Sequence, residues 1–319
     1  MTSVERGRVL LAVTGWDPGP WLAEFARAAP DREIVRAPAG PDDPTIRYAL
    51  VWKPPPGLMS RLPNLAAIFS LGAGVDHVID DTTLPDVPIV RIVADDLTNR
   101  MSEYVVWQVL DHLRQGRLYR AWQARRQWRE APQPAAGDVT VGIMGLGALG
   151  TDAAGKLAML GFRLAGWSRR PKHLAGIACH SGEDGLAPFL GTSDILVVLL
   201  PLTAQTRGII NRRTLALMKR ETPLGGPVLI NAGRGGLQVE ADIVEALDNG
   251  ALMAASLDVF ETEPLPATSP LWDHPAVTVT PHAAATSDPR RLVPIMARQM
   301  DDFEAGRPLA NLVDRKAGY

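Results

Sequence analysis

The chain has 319 residues, with 33 Lys+Arg against 35 Asp+Glu and a formal charge of -2; at roughly 150 residues per domain it is long enough for two. Its 46% hydrophobic and 21% charged residues exclude general disorder, and the balanced charge argues against a nucleic-acid binder. A lone cysteine, Cys179, excludes an intrachain disulfide framework and a cysteine-rich zinc site, while apolar runs such as 195–200 are too short to cross a bilayer and 9–13 too short for a signal-peptide core, so a cytoplasmic protein is the default reading.

Residues 9–13 read as a buried strand closed by Thr14-Gly15. Trp21, Leu22, Phe25 and Ala29 then recur at helical spacing up to Pro30. A second apolar strand, 48–52, ends at Lys53-Pro54-Pro55-Pro56-Gly57, where neither helix nor strand can continue. Strands at 65–71 and 89–93 follow, the first running into Gly72-Ala73-Gly74. This alternation predicts a small parallel-sheet α/β unit of about 95 residues. From Arg100, the residues Met101, Tyr104, Val105, Trp107, Val109, Leu110 and Leu113 cover most faces of one long helix, which predicts burial at a domain or subunit interface. The stretch 114–130 interleaves arginines with Tyr119, Trp122 and Trp128. Such a pattern can bind single-stranded nucleic acid, but the acidic balance of the chain favours a helix with a solvated basic face. After a connector at 131–137, strands at 139–144, 163–167, 195–200, 228–231, 254–259 and 277–280 alternate with helical patterns at 149–160, 212–217 and 241–250. That outlines a six-stranded, doubly wound sheet.

Gly145-Leu146-Gly147-Ala148-Leu149-Gly150 is a G-x-G-x-x-G placed between an apolar strand and a helix. In that context the first glycine allows a tight turn, the second a close approach of pyrophosphate to the backbone, and the third close helix–strand packing. The helix N-terminus adds amide donors and a positive dipole. The next strand ends in Trp167-Ser168-Arg169-Arg170, where NAD users carry an acidic reader of the ribose. Two guanidiniums and no carboxylate favour the 2′-phosphate of NADPH over NADH. The other strands also run into polar clusters: Leu200-Pro201-Leu202-Thr203, Asn231-Ala232-Gly233-Arg234-Gly235, Asp258-Val259-Phe260 through Glu263-Pro264-Leu265, and Pro281-His282. Ligands of open parallel sheets sit at the carboxyl ends of strands, so Arg234, Asp258, Glu263 and His282 are expected to converge. Singly, each reads as an ordinary surface or loop residue.

In this order the motifs resemble the D-isomer-specific 2-hydroxyacid dehydrogenase family over nearly the whole chain. Val51-Trp52-Lys53-Pro54-Pro55, Leu71-Gly72-Ala73-Gly74-Val75-Asp76, Val141-Gly142-Ile143-Met144-Gly145, Trp167-Ser168-Arg169 and the segment 313–319 resemble its glyoxylate/hydroxypyruvate reductase A branch. The resemblance implies two doubly wound parallel-sheet domains. A Rossmann-type cofactor domain, 100–287, would be inserted into a flavodoxin-like substrate or lid domain of 1–99 and 288–319, to which an amphipathic helix at 291–303 returns. It implies NADPH-dependent reduction of short 2-keto acids to (R)-2-hydroxy acids. His282 would be the general acid and Glu263 its carboxylate partner, a pairing that orients an imidazole and stabilises its protonated form. Arg234 would grip the substrate carboxylate and polarise the keto oxygen. Asp258 would lie at the nicotinamide, with Leu149, Leu200, Pro201, Thr206, Ala232, Gly233, Arg234 and His282 completing the cofactor site. Trp52, Leu71 and the backbone amides of Gly72, Ala73 and Gly74 would bind substrate, with Arg234 and His282. The helix from Arg100 and the Trp122–Trp128 arm resemble the family's dimerisation elements, which implies a homodimer.

His274 precedes its strand and reads as a loop residue; His77, His112, His173 and His180 have no motif around them, and nothing predicts a metal site. Gly155 lies within the helix after the glycine loop, at a cost of up to about 1 kcal/mol against Ala, and Val105, Val106 and Val109 require tertiary burial to hold their helix. Two rivals remain: a dinucleotide-sensing corepressor of the same wider family, and oxidation of formate or phosphite on the same scaffold. Formate-oxidising relatives carry glutamine where this chain has Glu263, which weakens the second.

Overall fold

The computed structural model describes residues 6–38 and 42–319; Met1–Glu5 of the polar start lie outside them. The chain divides into two compact units, 1–97 with 287–319 and 98–286.

The first unit holds β1 (Arg8–Val13), α1 (Gly19–Ala28), β2 (Ile34–Arg36), β3 (Ile46–Trp52), β4 (Ala67–Ser70), α2 (Asp76–Ile79) and β5 (Ile89–Val90). Its sheet is parallel, in the order β2-β1-β3-β4-β5, the flavodoxin-like winding. Leu10, Ile46, Val51 and Ile68 are fully buried, as continuous apolar strands of a parallel sheet should be. β2 was not expected: it is three residues long, at the sheet edge, and has no fully buried side chain. The last helix, α9 (Pro289–Glu304), belongs to this unit and packs on α1. It opens on Pro289 behind Asp288, whose side chain accepts the Arg290 N–H, and buries Leu292, Val293, Met296, Ala297 and Met300 on one face.

In the second unit follow α3 (Asp95–Leu113, reaching back into the first), α4 (Gly116–Ala124), β6 (Thr140–Met144), α5 (Ala148–Met159), β7 (Arg163–Ser168), β8 (Ala178–Ser181), α6 (Leu186–Thr192), β9 (Ile195–Val198), α7 (Arg212–Ala216), β10 (Val228–Asn231), α8 (Glu240–Asp248), β11 (Ala254–Leu257) and β12 (Val277–Val279). The sheet order is β12-β11-β10-β9-β6-β7-β8, all parallel, so the strands wind outward in both directions from β6. Successive strand residues feed opposite faces. Ile195 and Val197 join Tyr104, Val105 and Ala153 of α3 and α5 in one core, while Leu196 and Val198 join Phe189, Leu215 and Ile243 of α6, α7 and α8 in the other. The seventh strand, β8, exceeds the expected six: its Ala-Cys-His-Ser sequence is polar because it is a part-exposed edge. α3 begins five residues before Arg100 and is not buried all round, since Trp107 is 52% exposed. α4 buries none of its residues within this chain. No helix among the described residues is long and apolar enough to cross a membrane.

Candidate active site

The glycine loop of the second unit has the geometry its sequence requires. Gly145 sits at φ +116, and a Cβ there would meet the Leu199 carbonyl oxygen at 2.7 Å. A Cβ on Gly150 would meet the Gly145 carbonyl oxygen at 1.9 Å, so the helix lies directly on the loop. Gly147, at the N-cap of α5, has nothing within 4 Å of its Cβ position, which leaves its backbone open to a ligand. This is a cradle that a side chain would fill, and it fits a dinucleotide pyrophosphate. At the end of β7, Ser168 Oγ donates to the Arg170 carbonyl at 2.8 Å, and Arg169 and Arg170 are exposed. Lys172, which no motif marks, donates to the Leu146 carbonyl inside the glycine loop. Its charge two residues beyond the arginine pair was the available signal. Beyond β9, Thr206 Oγ1 donates to the Pro201 carbonyl at 2.7 Å and accepts the Thr203 N–H at 2.8 Å, which closes the turn after Leu200.

β10, β11 and β12 are neighbours, so their carboxyl ends bring Arg234, Asp258 and His282 to one edge of the sheet. Asn231 shapes the Arg234 loop: its side chain accepts the Gly233 N–H at 3.0 Å and donates to Gln238 Oε1 at 2.8 Å. Gln238 Nε2 reaches the Val259 carbonyl at 2.9 Å, and a Cβ on Gly235 would meet the Phe260 carbonyl oxygen at 1.8 Å. The loop carrying Arg234 is thus stitched to the segment leading to Glu263. A Cβ on Gly233 would come within 3.0 Å of the Leu200 carbonyl oxygen, so the turns after β9 and β10 also touch.

Glu263 sets both carboxylate oxygens on the His282 ring, Oε1 at 3.0 Å and Oε2 at 2.9 Å from Nδ1. A carboxylate accepts, so Nδ1 carries the hydrogen of this bond and the ring is oriented by it. Asp258, 1% exposed, accepts the Ala283 N–H at 2.9 Å and the Ala284 N–H at 3.0 Å with its two side-chain oxygens. His274 stands apart from this group, its Nδ1 accepting the Ala276 N–H at 3.1 Å.

In the first unit, Trp52 ends β3 and its ring lies 4.7 Å from that of His77. A Cβ on Gly72 would fall 2.3 Å from Trp52 Cζ3, so only glycine lets the indole lie there. Ser70 Oγ bonds the Gly72 and Gly74 carbonyls at 3.1 and 3.0 Å, while the Gly72 N–H turns back to Ser70 Oγ at 3.3 Å. The N–H groups of Ala73 and Gly74 take no partner among the described residues. Leu71 is buried and its carbonyl accepts from Ser287 Oγ at 2.7 Å. His77, passed over in the sequence, holds this region: Nδ1 accepts the Lys53 N–H at 3.2 Å, so Nε2 carries the hydrogen, 3.3 Å from Ser70 Oγ.

A family model described as "D-isomer specific 2-hydroxyacid dehydrogenase, NAD binding domain" matches residues 106–284. The chain is 38% identical over 305 residues to a glyoxylate/hydroxypyruvate reductase A from Serratia proteamaculans, covering 94% of this chain and 96% of that one. Among solved structures, it is similar to an NADPH-dependent glyoxylate/hydroxypyruvate reductase from Sinorhizobium meliloti in complex with NADP and sulfate, with 51% identity, a TM-score of 0.94, and coverage of 98% and 100%. It is also similar to a D-isomer specific 2-hydroxyacid dehydrogenase from Xanthobacter autotrophicus in complex with NADPH and MES, with 40% identity, a TM-score of 0.92, and coverage of 98% and 100%. The chain belongs to the D-isomer specific 2-hydroxyacid dehydrogenase family and is an oxidoreductase of its glyoxylate/hydroxypyruvate reductase A branch.

Proposed function

We propose that this protein uses NADPH to reduce glyoxylate, hydroxypyruvate or a comparably short 2-keto acid to the (R)-2-hydroxy acid. The observation that carries the reading is the His282 ring, gripped at Nδ1 by both oxygens of Glu263 at the carboxyl end of the sheet. NADPH supplies the hydride when bound. The chain's own residues supply the rest. Glu263 fixes the imidazole so that Nε2 delivers its proton to the carbonyl oxygen. Arg234 offers a planar fork to the substrate carboxylate and positive charge to the keto oxygen. Trp52, Leu71 and the amides of Ala73 and Gly74 are the substrate residues of the first unit, the Gly72 amide being turned to Ser70 Oγ instead.

The cofactor site is Gly145, Gly147, Leu149 and Gly150 for the pyrophosphate side, with Leu200, Pro201, Thr206, Ala232 and Gly233 along the neighbouring strand ends and Asp258 at the nicotinamide. Ser168, Arg169 and Arg170 receive the 2′-phosphate, and Lys172 is added to them. The relatives solved with NADP or NADPH support this choice. So does the absence of a carboxylate in Trp167-Ser168-Arg169-Arg170. The working form is read as a homodimer, supported by the exposure of Trp107 (52%) and Trp128 (103%) around the bare helix α4.

A panel of keto acids, each assayed by absorbance with NADPH and with NADH, tests the reading. Glyoxylate and hydroxypyruvate should turn over, with kcat/KM at least about tenfold higher with NADPH, since a fork-bound phosphate is worth upwards of 1.4 kcal/mol. Tight cofactor binding without turnover of any keto acid would favour the corepressor reading instead.

A further inference from the structure

Tyr104 stands on α3, a helix to which the reductase reading gives no part in the chemistry. It is 7% exposed, and its hydroxyl lies 2.9 Å from Thr280 Oγ1. Thr280 Oγ1 in turn donates to Asp258 Oδ1 at 2.7 Å. A threonine hydroxyl has one hydrogen and a carboxylate has none to give, so the Tyr104 phenol is the donor in the first bond. Burial pushes the phenol above the ordinary tyrosine range, which keeps that hydrogen in place. Beyond Thr280, the Asp258 carboxylate takes the N–H groups of Ala283 and Ala284, and the Asp258 carbonyl takes the His282 N–H at 2.7 Å. His282 itself sits at φ +52, a conformation that a residue with a side chain holds only where its surroundings impose it. Asp258 supplies bonds that impose it, beside the Thr280 carbonyl that shares the His282 N–H at 3.1 Å and the Glu263 grip on the ring, and Asp258 is in turn held from α3.

We propose that Tyr104, acting through Thr280 and Asp258, is a positioning residue for His282: the hydrogen-bonded chain from α3 fixes the turn at 281–284 and with it the direction of the imidazole. The proposal rests on the reading of His282 as proton donor. It separates Tyr104 from its apolar neighbours on the helix, Val105 and Val109, which only pack. Nothing in the motif sequence marks Tyr104, because its partner Thr280 is 176 residues away.

The test compares the wild-type protein with Tyr104→Phe, Thr280→Val and Thr280→Ser. kcat for glyoxylate, the NADPH dissociation constant by fluorescence titration, and amide hydrogen exchange at 283 and 284 are measured on each. Loss of one link should lower kcat about tenfold in Tyr104→Phe, and by ~10–100-fold in Thr280→Val, as misaimed catalytic groups do. Thr280→Ser, which keeps the hydroxyl, should stay within about threefold of the wild type. NADPH affinity should hold within about threefold throughout, while exchange at 283 and 284 accelerates in the first two variants. Unchanged kcat in Tyr104→Phe, or equal losses in Thr280→Ser and Thr280→Val, would overturn the assignment. A wild-type protein that reduces no keto acid counts against the reductase reading alone. Exchange then decides: acceleration in Tyr104→Phe and Thr280→Val upholds the chain, and unchanged exchange overturns it.

Discussion

His112 illustrates how one buried residue writes itself into the pH dependence of the whole protein. It is 8% exposed, and its Nε2 lies 2.9 Å from Ser256 Oγ, which donates to Gln108 Oε1 at 2.7 Å. Ser256 spends its only hydrogen on Gln108, so His112 donates to Ser256 as a neutral imidazole. Burial pulls its pKa down to about 4, from 6.5 in the open chain. The sign follows: below pH 6.5 the unfolded chain takes up a proton that the folded one refuses until about pH 4. The stabilisation is complete above pH 6.5 and is lost as the pH falls through that window, by about 2 kcal/mol between pH 6.5 and 5. Urea titrations at pH 7 and pH 5 should show this loss in the wild type, and His112→Gln should flatten it. An equal loss in the variant would remove His112 from the account. None of this was legible in the sequence, where His112 is one histidine on an apolar helix and its partner Ser256 comes from a strand 144 residues on. His77 and Lys172 escaped for the same reason, since their roles lie in backbone groups of distant turns.

At the scale of elements, the buried strands could be read directly, because a strand covered on both faces is a continuous apolar run between turn residues. β2 and β8 could not, since edge strands of three and four residues bury too little to leave a pattern. α9 was legible from its apolar stripe, but what anchors its end was not. Arg32, its side chain fully buried between α1 and β2, reaches Asp301 Oδ1 at 2.7 Å and both Glu304 oxygens at 2.8 and 2.6 Å. Its guanidinium lies 5.4 Å from the centre of the Tyr48 ring, and the Tyr48 hydroxyl also donates to Glu304 at 3.1 Å. Burial, then the Glu304 charge, pushes the Tyr48 hydroxyl up to about 12. Removing the buried member of such a group strands its carboxylates. Arg32→Met should therefore cost the first unit about 3 kcal/mol, the low end for a buried pair because Asp301 and Glu304 keep some solvent. Chemical denaturation reads this directly, and a loss under about 1 kcal/mol would show that packing alone holds α9 in place.

Across the whole molecule, one rule was used twice. Each unit winds a parallel sheet, and in the second the sequence motifs fall at the carboxyl ends of its strands. The family and fold were legible because Gly145, Gly147 and Gly150, the Arg234 loop, Glu263 and His282 occur in order at strand ends. The support behind them was not, because Asn231 and Gln238 act through hydrogen bonds that only the folded chain forms. His282 is proposed to give a proton from Nε2 while Glu263 grips Nδ1. The measurement that bears on it most directly is single-turnover reduction of glyoxylate by His282→Ala, with NADPH binding measured in parallel. A general acid contributes ~10²–10⁴-fold, so the rate should fall by at least about a hundredfold while NADPH affinity stays within about threefold. A variant that reduces glyoxylate within about tenfold of the wild-type rate would contradict the account and move the proton donor elsewhere.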